Sequence, residues 1–424
     1  MTRLAACTIG AAALIGSLLT AAPAFADPLP TCASLANPPL AQPASELVYI
    51  QAGDTQTNLL KQLGRKLRDN TAKPITLVFF TSGSCTNITA MYTQVPVTVN
   101  MTYIPSLLED PLWTPSSAPL NCTVPTPGGQ PLDVGNSAVF TASCTGIPAK
   151  PETVKLTTGP IQAYVLGVPE SSSQTAITYE EAYFVFGYGA AGMIDPWVKV
   201  SNLWIRTVSK STLLTWAANI SVPANKFQGG CGSGGGAGSG CGASAQVVAG
   251  LQNNADPESA IGLLGDEVYD ADRAFLNILA FRAKGQYAAY YPDKTASSRD
   301  KQNIRDGHYT VWSPTVWMYN INAATQAPTN PTAKYVVDMI DGVPVSPAPS
   351  FEPDTVVAGV GLVPDCAMHV AREFDGGPLS LYTPPASCTC TYEKTVATTS
   401  CATCSVATPC AGTAVCRNNL CEAN

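Results

Sequence analysis

The chain has 424 residues, a formal net charge of −7 and only 12% charged side chains. An acidic chain with no basic stripe has nothing to meet a phosphate backbone, which excludes nucleic acid as a partner. The 15 cysteines and 35 prolines suit a loop-rich protein of an oxidising compartment.

Residues 1–26 read as a secretory signal. Arg3 supplies the positive start, "AACTIGAAALIGSLL" the apolar centre and "AFA" before Asp27 the small-residue cleavage site. The apolar run is too short for an anchor, and no later run is long enough to span a bilayer. Without Cys7 an even number of cysteines remains. Cys32, Cys85, Cys122, Cys144, Cys231, Cys241 and Cys366 are spread through the body, and Cys388, Cys390, Cys401, Cys404, Cys410, Cys416 and Cys421 crowd the end. Two odd sets require a bridge between body and tail if all thiols pair, and Cys366 is the nearest candidate. A body of roughly 350 residues is large for one core and implies two lobes.

In chain order, a Pro-rich lead is followed by "ELVYIQAG", a strand, and by "DTQTNLLKQLGRKLRDN", an amphipathic helix. That helix carries Leu59, Leu60, Leu63 and Leu67 on one face, with Asp54 or Thr55 as its cap. "PITLVFF" is a buried strand and "TSGSCTNITAMYTQ" a small-residue turn into a second helix. Strand, helix and strand in this order predict a parallel sheet. Residues 103–145 are loop-rich, and Cys122 and Cys144 are expected to bridge there. "GPIQAYVLGV" is a strand, and "EEAYFVFGYGAAG" a helix or strand. "GGCGSGGGAGSGCG" is a low-complexity loop that Cys231 and Cys241 could close, a contribution of up to ~3 kcal/mol. "PESAIGLLGDEVYDADRAFLNILAFRAKG" is expected to be the longest helical region, as two helices, and "HYTVWSPTVWMYNI" a strand. From about residue 385 apolar side chains other than cysteine are scarce, so disulfides must hold the tail.

"YIQAGDTQ", "VFFTSGSCTN" and "LWIRTVSKST" share one plan: a buried strand runs through small or hydroxyl residues into a helix start. Such starts carry unpaired N–H groups and a partial positive charge. Three of them converging from parallel strands would form a cleft for a small oxyanion. Thr55, Ser84 and Thr212 would donate hydrogen bonds, and Arg206 could grip two oxygens. The alternative is that the hydroxyls only cap helices and Arg206 is a surface charge.

These segments resemble the periplasmic phosphate-binding proteins of ABC importers over most of residues 46–345, in short motifs kept in order. "AGDTQTNLLKQLGRKL" is similar to the family's first strand-turn-helix, which places Thr55 at the ligand-contacting threonine with Gln56 following. "SGSCTNI" is similar to the Gly-Ser-Ser-Gly-Gly turn and places Ser84 at the ligand serine. "DVGNSAVF" resembles an Asp-Phe-Gly-Ala-Ser-Asp segment. "IRTVSKST" looks like the Arg-Ser-x-x-Ser-Gly-Thr loop, which carries over Arg206, Lys210, Ser211 and Thr212. "ESAIGLLGDEVYDA" and "HYTVWSPTVWMY" resemble the helix entry and the return strand. In two places the chain departs from the pattern. Ala138 stands where the family has the aspartate that accepts the proton of hydrogen phosphate, a loss of about 1–3 kcal/mol. Lys-Ser-Thr replaces Ser-Gly-Thr, while Asp133 is assigned to the turn.

The resemblance implies an α/β chain with the two-lobed periplasmic-binding-protein type II fold and a small disulfide-rich C-terminal module. The expected division is signal 1–26, lobe I 27–165 and 306–384, lobe II 166–305 and tail 385–424, with crossings near residues 158–168 and 300–310. The implied function is capture of a small oxyanion in the inter-lobe cleft, phosphate foremost with sulfate or another oxyanion left open, for uptake by an ABC permease complex, in the periplasm or at the cell surface. The expected protein is a monomer without cofactor, metal or enzymatic activity. The rival is a secreted or cell-surface interaction protein that reuses the fold, which the appended tail favours. Other readings are weak. The Gly-rich loop lacks the Lys-Ser/Thr of a nucleotide loop, "CTC" and "CATC" are expected as disulfides rather than zinc ligands, and no Cys-x-x-Cys-His or G-x-S-x-G occurs. His308 and His369 are assigned structural places. Asn87, Asn100, Asn121 and Asn219 begin sequons that matter only in a glycosylating host.

Overall fold

The computed structural model describes residues 29–38, 42–232, 235–397 and 399–423; the expected signal lies outside them. The first half is built on β1 (Glu46–Gly53), α1 (Thr57–Arg68), β2 (Ile75–Ser82), α2 (Ser84–Thr93), β3 (Met101–Tyr103), β4 (Leu120–Cys122) and β5 (Val134–Ser137). The long strand β6 (Val154–Pro169) leads to β7 (Ala176–Thr178), α3 (Tyr179–Tyr188), β8 (Leu203–Trp204), α4 (Ser211–Ile220), α5 (Ser244–Gln252), β9 (Ile261–Gly265), α6 (Asp266–Asp272), β10 (Leu276–Ile278), β11 (Ala280–Arg282) and α7 (Gln302–Arg305). The chain then returns through β12 (Trp312–Asn320) to α8 (Pro331–Ile340) and α9 (Pro353–Gly359), followed by β13 (Val370–Ala371) and β14 (Ser380–Leu381). The tail holds α10 (Thr389–Val396), β15 (Val415–Arg417) and β16 (Leu420–Glu422).

The main sheet runs β4-β3-β2-β1-β5-β12-β6-β9-β8, with β10 also on β6. Its two ends form two halves, each covered on both faces. On the first half, α1, α8 and α9 bury Leu59, Leu60, Leu63, Val336 and Val357 on one face, and α2 buries Ile88 and Met91 on the other. On the second half, α3 and α4 bury Phe186, Leu213 and Trp216, while α5 and α6 bury Val247, Leu251 and Tyr269. This is the two-lobed α/β class implied by the sequence. β6 joins the halves: its early residues pair with β12 as far as Ala163, and Tyr164 to Gly167 pair with β9. Opposite the crossing, β12 carries an irregularity between Pro314 and Val316, as expected where a proline withdraws its donor from the ladder.

Register positions the loops. The parallel pairing of β1 with β2 runs from Glu46 opposite Ile75 to Gly53 opposite Ser82, so both strands end level. β8 and β9 are likewise parallel. The α1 face follows the expected leucines, and Arg65, Lys66 and Arg68 in its last turn complement the helix dipole.

Three expectations need correction. Residues 257–285 hold β9, the seven-residue α6, β10 and β11, not two helices. Ile261–Gly265 is buried throughout, and a strand buried on both faces is a continuous apolar run that periodicity cannot separate from a helix. Cys122 pairs with Cys32, and Cys144 with Cys85, rather than with each other. Cys32 is brought to Cys122 by the 3-10 turn Cys32–Ala36, whose Cys32 N–H donates to Thr123. Neither Asp54 nor Thr55 caps α1: a 3-10 turn, Asp54–Gln56, precedes it, and neither turn nor helix has a side-chain cap.

All remaining described cysteines are paired: Cys231–Cys241, Cys366–Cys388, Cys390–Cys401, Cys404–Cys416 and Cys410–Cys421. Cys366 is the body–tail bridge. Glu422 accepts from the N–H groups of Cys390 and Thr391, tying the last strand to the start of α10. No described helix is long and apolar enough to cross a membrane.

Candidate functional site

Four first turns meet where the two halves face each other. The Asp54–Gln56 turn follows β1, and α2 starts at Ser84 after β2. From the second half, the loop after β8 carries Arg206 and enters α4 at Ser211, and α5 starts at Ser244. Gly83 lies close against the loop of the second half. A Cβ there would lie 2.6 Å from Ser209 Oγ and 2.8 Å from its carbonyl oxygen, and the Cys85 N–H donates to that carbonyl at 3.2 Å.

Arg206 is fully buried, not a surface charge. Its Nε donates to the Cys241 carbonyl at 3.0 Å, Nη1 to Ser244 Oγ at 2.6 Å, and Nη2 to Asp54 Oδ2 at 2.7 Å and the Gly242 carbonyl at 3.1 Å. The Cys231–Cys241 staple therefore fixes the loop that holds the guanidinium. Lys210 Nζ donates to the other Asp54 oxygen at 3.0 Å and to the Ser82 carbonyl at 3.2 Å. Ser244 adds its N–H at 3.3 Å and its hydroxyl at 3.2 Å to Asp54 Oδ2. Burial alone would push the Asp54 carboxyl up, but the charges of Arg206 and Lys210 outweigh it and hold it below the usual carboxylate range. Burial lowers Lys210, and Arg206 adds to the effect against the pull of Asp54. Two cations and one carboxylate leave one positive charge in excess.

Hydroxyls and amides surround this cluster. Ser84 Oγ accepts from the Ala138 N–H at 3.1 Å, and the Ala138 carbonyl accepts from the phenol of Tyr164 at 2.7 Å. Ser211 and Thr215 lie beside that phenol. Thr55 Oγ1 and Thr212 Oγ1 are buried and have no hydrogen-bond partner among the described residues, and the same holds for Asn136 Nδ2 and Gln56 Oε1. Thr55 and Asn136 both border Gly53, whose N–H donates to Asn136 Oδ1 at 3.4 Å. A polar chain crosses between the halves: Gln56 Nε2 donates to Gln162 Oε1 at 3.1 Å, and Gln162 Nε2 donates to Glu267. Burial pushes Glu267 up to about 8, so its carboxyl is protonated at neutral pH. Gly265 leaves room for it, since a Cβ there would sit 2.3 Å from Glu267 Oε2. Glu267 also lines a cleft of about 410 Å³ with Asn58 and Gln62 of α1 and Val396 of the tail.

Of the sequence candidates, Thr55, Gln56, Ser84, Arg206, Lys210, Ser211 and Thr212 all lie in this buried region. Arg206 and Lys210 converge on Asp54, which sequence reasoning had read as a helix cap. Ser244, Asn136, Gln162 and Glu267 were also missed. Asp133 holds the edge of β5, where its carboxylate accepts from the Tyr49 N–H at 2.9 Å. Ala138 is buried among core residues. His308 stacks on Tyr290, and His369 Nδ1 lies 2.7 Å from Asp306 Oδ1.

No family model and no curated protein matches the sequence. Among solved structures, the chain is similar to a putative phosphate ABC transporter substrate-binding protein with bound phosphate from Clostridium perfringens, at 13% identity and TM-score 0.49, over 75% of this chain and 99% of that one. It is similar also to an ABC-type phosphate transport receptor from Vibrio cholerae, at 12% identity and TM-score 0.44, over 75% of this chain and 100% of that one. A third is a possible phosphate binding protein from Planctomyces limnophilus, at 12% identity and TM-score 0.40, over 76% and 93% of the respective chains.

Proposed function

We propose that the protein is an exported solute-binding protein that captures a small oxyanion, phosphate foremost, between its two halves. The observation that carries this reading is the pairing of one excess positive charge with buried hydroxyls of Thr55 and Thr212 that no group among the described residues satisfies. A buried, unsatisfied hydroxyl costs about 1–3 kcal/mol, and hydrogen bonds to an anion contribute about 1.5–3 kcal/mol each. Hydroxyls kept at that cost on first turns of helices suit a ligand rather than the fold. Phosphate is preferred to sulfate because Gln56 Oε1 is an acceptor without a partner, and only a protonated oxyanion can donate to it. The amide orientation follows from the hydrogen-bond chain: Gln162 donates to Ala163 and Glu267, so its oxygen must accept from Gln56.

Calorimetric titration of dialysed protein with phosphate and with sulfate tests the reading. Saturable binding of phosphate with a weaker response to sulfate is expected. Absence of binding at millimolar concentrations of both ions would remove it.

A second reading, a secreted interaction protein on the same fold, is favoured by the tail. Tyr392 of α10 is buried in the core cluster of the second half, with the Arg305 guanidinium 5.1 Å from its ring, while α10 also packs on α9, whose Val356 and Val357 belong to the core of the first. A module fastened to both halves opposes the opening that delivery to a permease requires. Phosphate uptake by membrane vesicles carrying a permease complex separates the two readings: stimulation by the added protein supports transport.

A further inference from the structure

We infer that Asp54 is a resident counter-anion that latches the two halves together without any bound ligand. The carboxylate leaves the first half at the end of β1 and takes the cationic pocket of the second. There it meets Arg206 Nη2 at 2.7 Å, Lys210 Nζ at 3.0 Å and both donors of Ser244 within 3.3 Å. The pocket is built for a carboxylate. Arg206 is immobilised by two backbone carbonyls and a serine hydroxyl, and Ser244 opens α5, where the helix dipole favours a negative charge.

Burial makes the latch strong. Arg206 is wholly inaccessible and the Asp54 side chain only 19% exposed, so opening the halves would separate a desolvated ion pair and leave the guanidinium without its counter-charge. Further bonds span the same seam. They include Gln56 to Gln162 at 3.1 Å and Lys210 Nζ to the Ser82 carbonyl at 3.2 Å. These are neutral or single-charge contacts, whereas Asp54 is the one carboxylate among the described residues that bridges both cations. An incoming oxyanion would therefore share Arg206 and Lys210 with a carboxylate already in place. This inference deepens the oxyanion reading of the same site but does not need that reading to hold.

Small-angle scattering of the full chain in Tris-chloride, with and without phosphate, tests the latch. A compact chain of this length has a radius of gyration of roughly 22 Å. The wild-type value should not change with phosphate. Asp54→Ala should be larger by about 1 Å without phosphate, as expected when a compact two-lobed body opens. Asp54→Asn, which keeps the volume and removes the charge, should also expand and serves where the alanine variant does not melt cooperatively. Wild-type dimensions in both variants, or contraction of the wild type on adding phosphate, would overturn the latch. If Asp54→Ala expands but binds neither phosphate nor sulfate by calorimetry, the latch stands and the oxyanion reading falls. If the wild type binds phosphate while both variants stay compact, the reading stands and the latch falls.

Discussion

Gln162, on the strand that joins the two halves, donates its side-chain N–H to the buried carboxyl of Glu267, 105 residues away. That carboxyl sits in the seam between the halves, and burial raises it to about 8 from an ordinary 4.5. Between these values the folded protein holds a proton that the unfolded chain has released. Stability must therefore fall as pH rises through the window, by an amount on the order of a few kcal/mol. Glu267→Gln should flatten the slope, matching the wild type near pH 5 and exceeding it above about pH 8. Urea denaturation across this range checks the difference. Other raised carboxyls, such as Asp341 at about 8, are common to both proteins and cancel. Parallel curves for the two proteins would show that Glu267 does not titrate in the window.

Thr55→Val and Thr212→Val should separate folding from binding. Each hydroxyl is buried without a partner among the described residues, so replacing it by a methyl of similar size should be neutral or stabilising by about 1 kcal/mol. Phosphate affinity should fall about tenfold to a hundredfold in each case. Thermal melts and calorimetry on the same samples read both quantities. A variant that loses stability and keeps its affinity would assign the hydroxyl to the fold.

The first half of the sheet was legible because its elements obey local rules. Four leucines at helical spacing define α1, and the apolar runs on either side, short and flanked by turn residues, read as buried strands. Arg206 was legible as a fixed charge next to a helix start. Asp54 was not, because an aspartate before a helix reads as a cap; its true partner lies 152 residues away, and only the meeting of two strand ends reveals it. The Cys122–Cys144 pairing failed for the same reason, whereas Cys231–Cys241 and the Cys366 bridge to the tail, both close in sequence, held. Proximity in sequence suggested Cys122 with Cys144, but pairing follows from which loops the sheet brings together, so separations of 90 and 59 residues won. Residues 257–285 failed because a doubly buried strand has no periodicity to read.

Arg206→Ala should remove phosphate binding and also destabilise the protein, by about 3–5 kcal/mol, since it leaves Asp54 buried with Lys210 as its one cation. Arg206→Lys should recover little, because an ammonium cannot reproduce the fork that reaches Cys241, Ser244, Gly242 and Asp54 together. Most of the cost should vanish when Asp54→Ala is combined with Arg206→Ala, and a double-mutant cycle measured by denaturation isolates that coupling. Additive effects would show that the two side chains act independently.

The tail should be separable from the body in stability but not in position. Cys366 and Cys388 are 22 residues apart, so losing their bridge should cost about 3 kcal/mol of loop-closure stabilisation. The three internal bridges of the tail would remain, as would the Glu422 contacts at the start of α10. Tyr392, buried beside Arg305, is then the main anchor of the module, with Glu393 paired to the same guanidinium and α10 resting on α9. Cys366→Ser with Cys388→Ser should therefore leave the tail docked and resistant to limited proteolysis. Adding Tyr392→Ala, which empties an aromatic site worth about 3–5 kcal/mol, should release it as a protease-sensitive fragment while the body keeps one cooperative melt. Release by the cysteine substitutions alone would show that the covalent bridge, not the buried ring, is what fastens the tail.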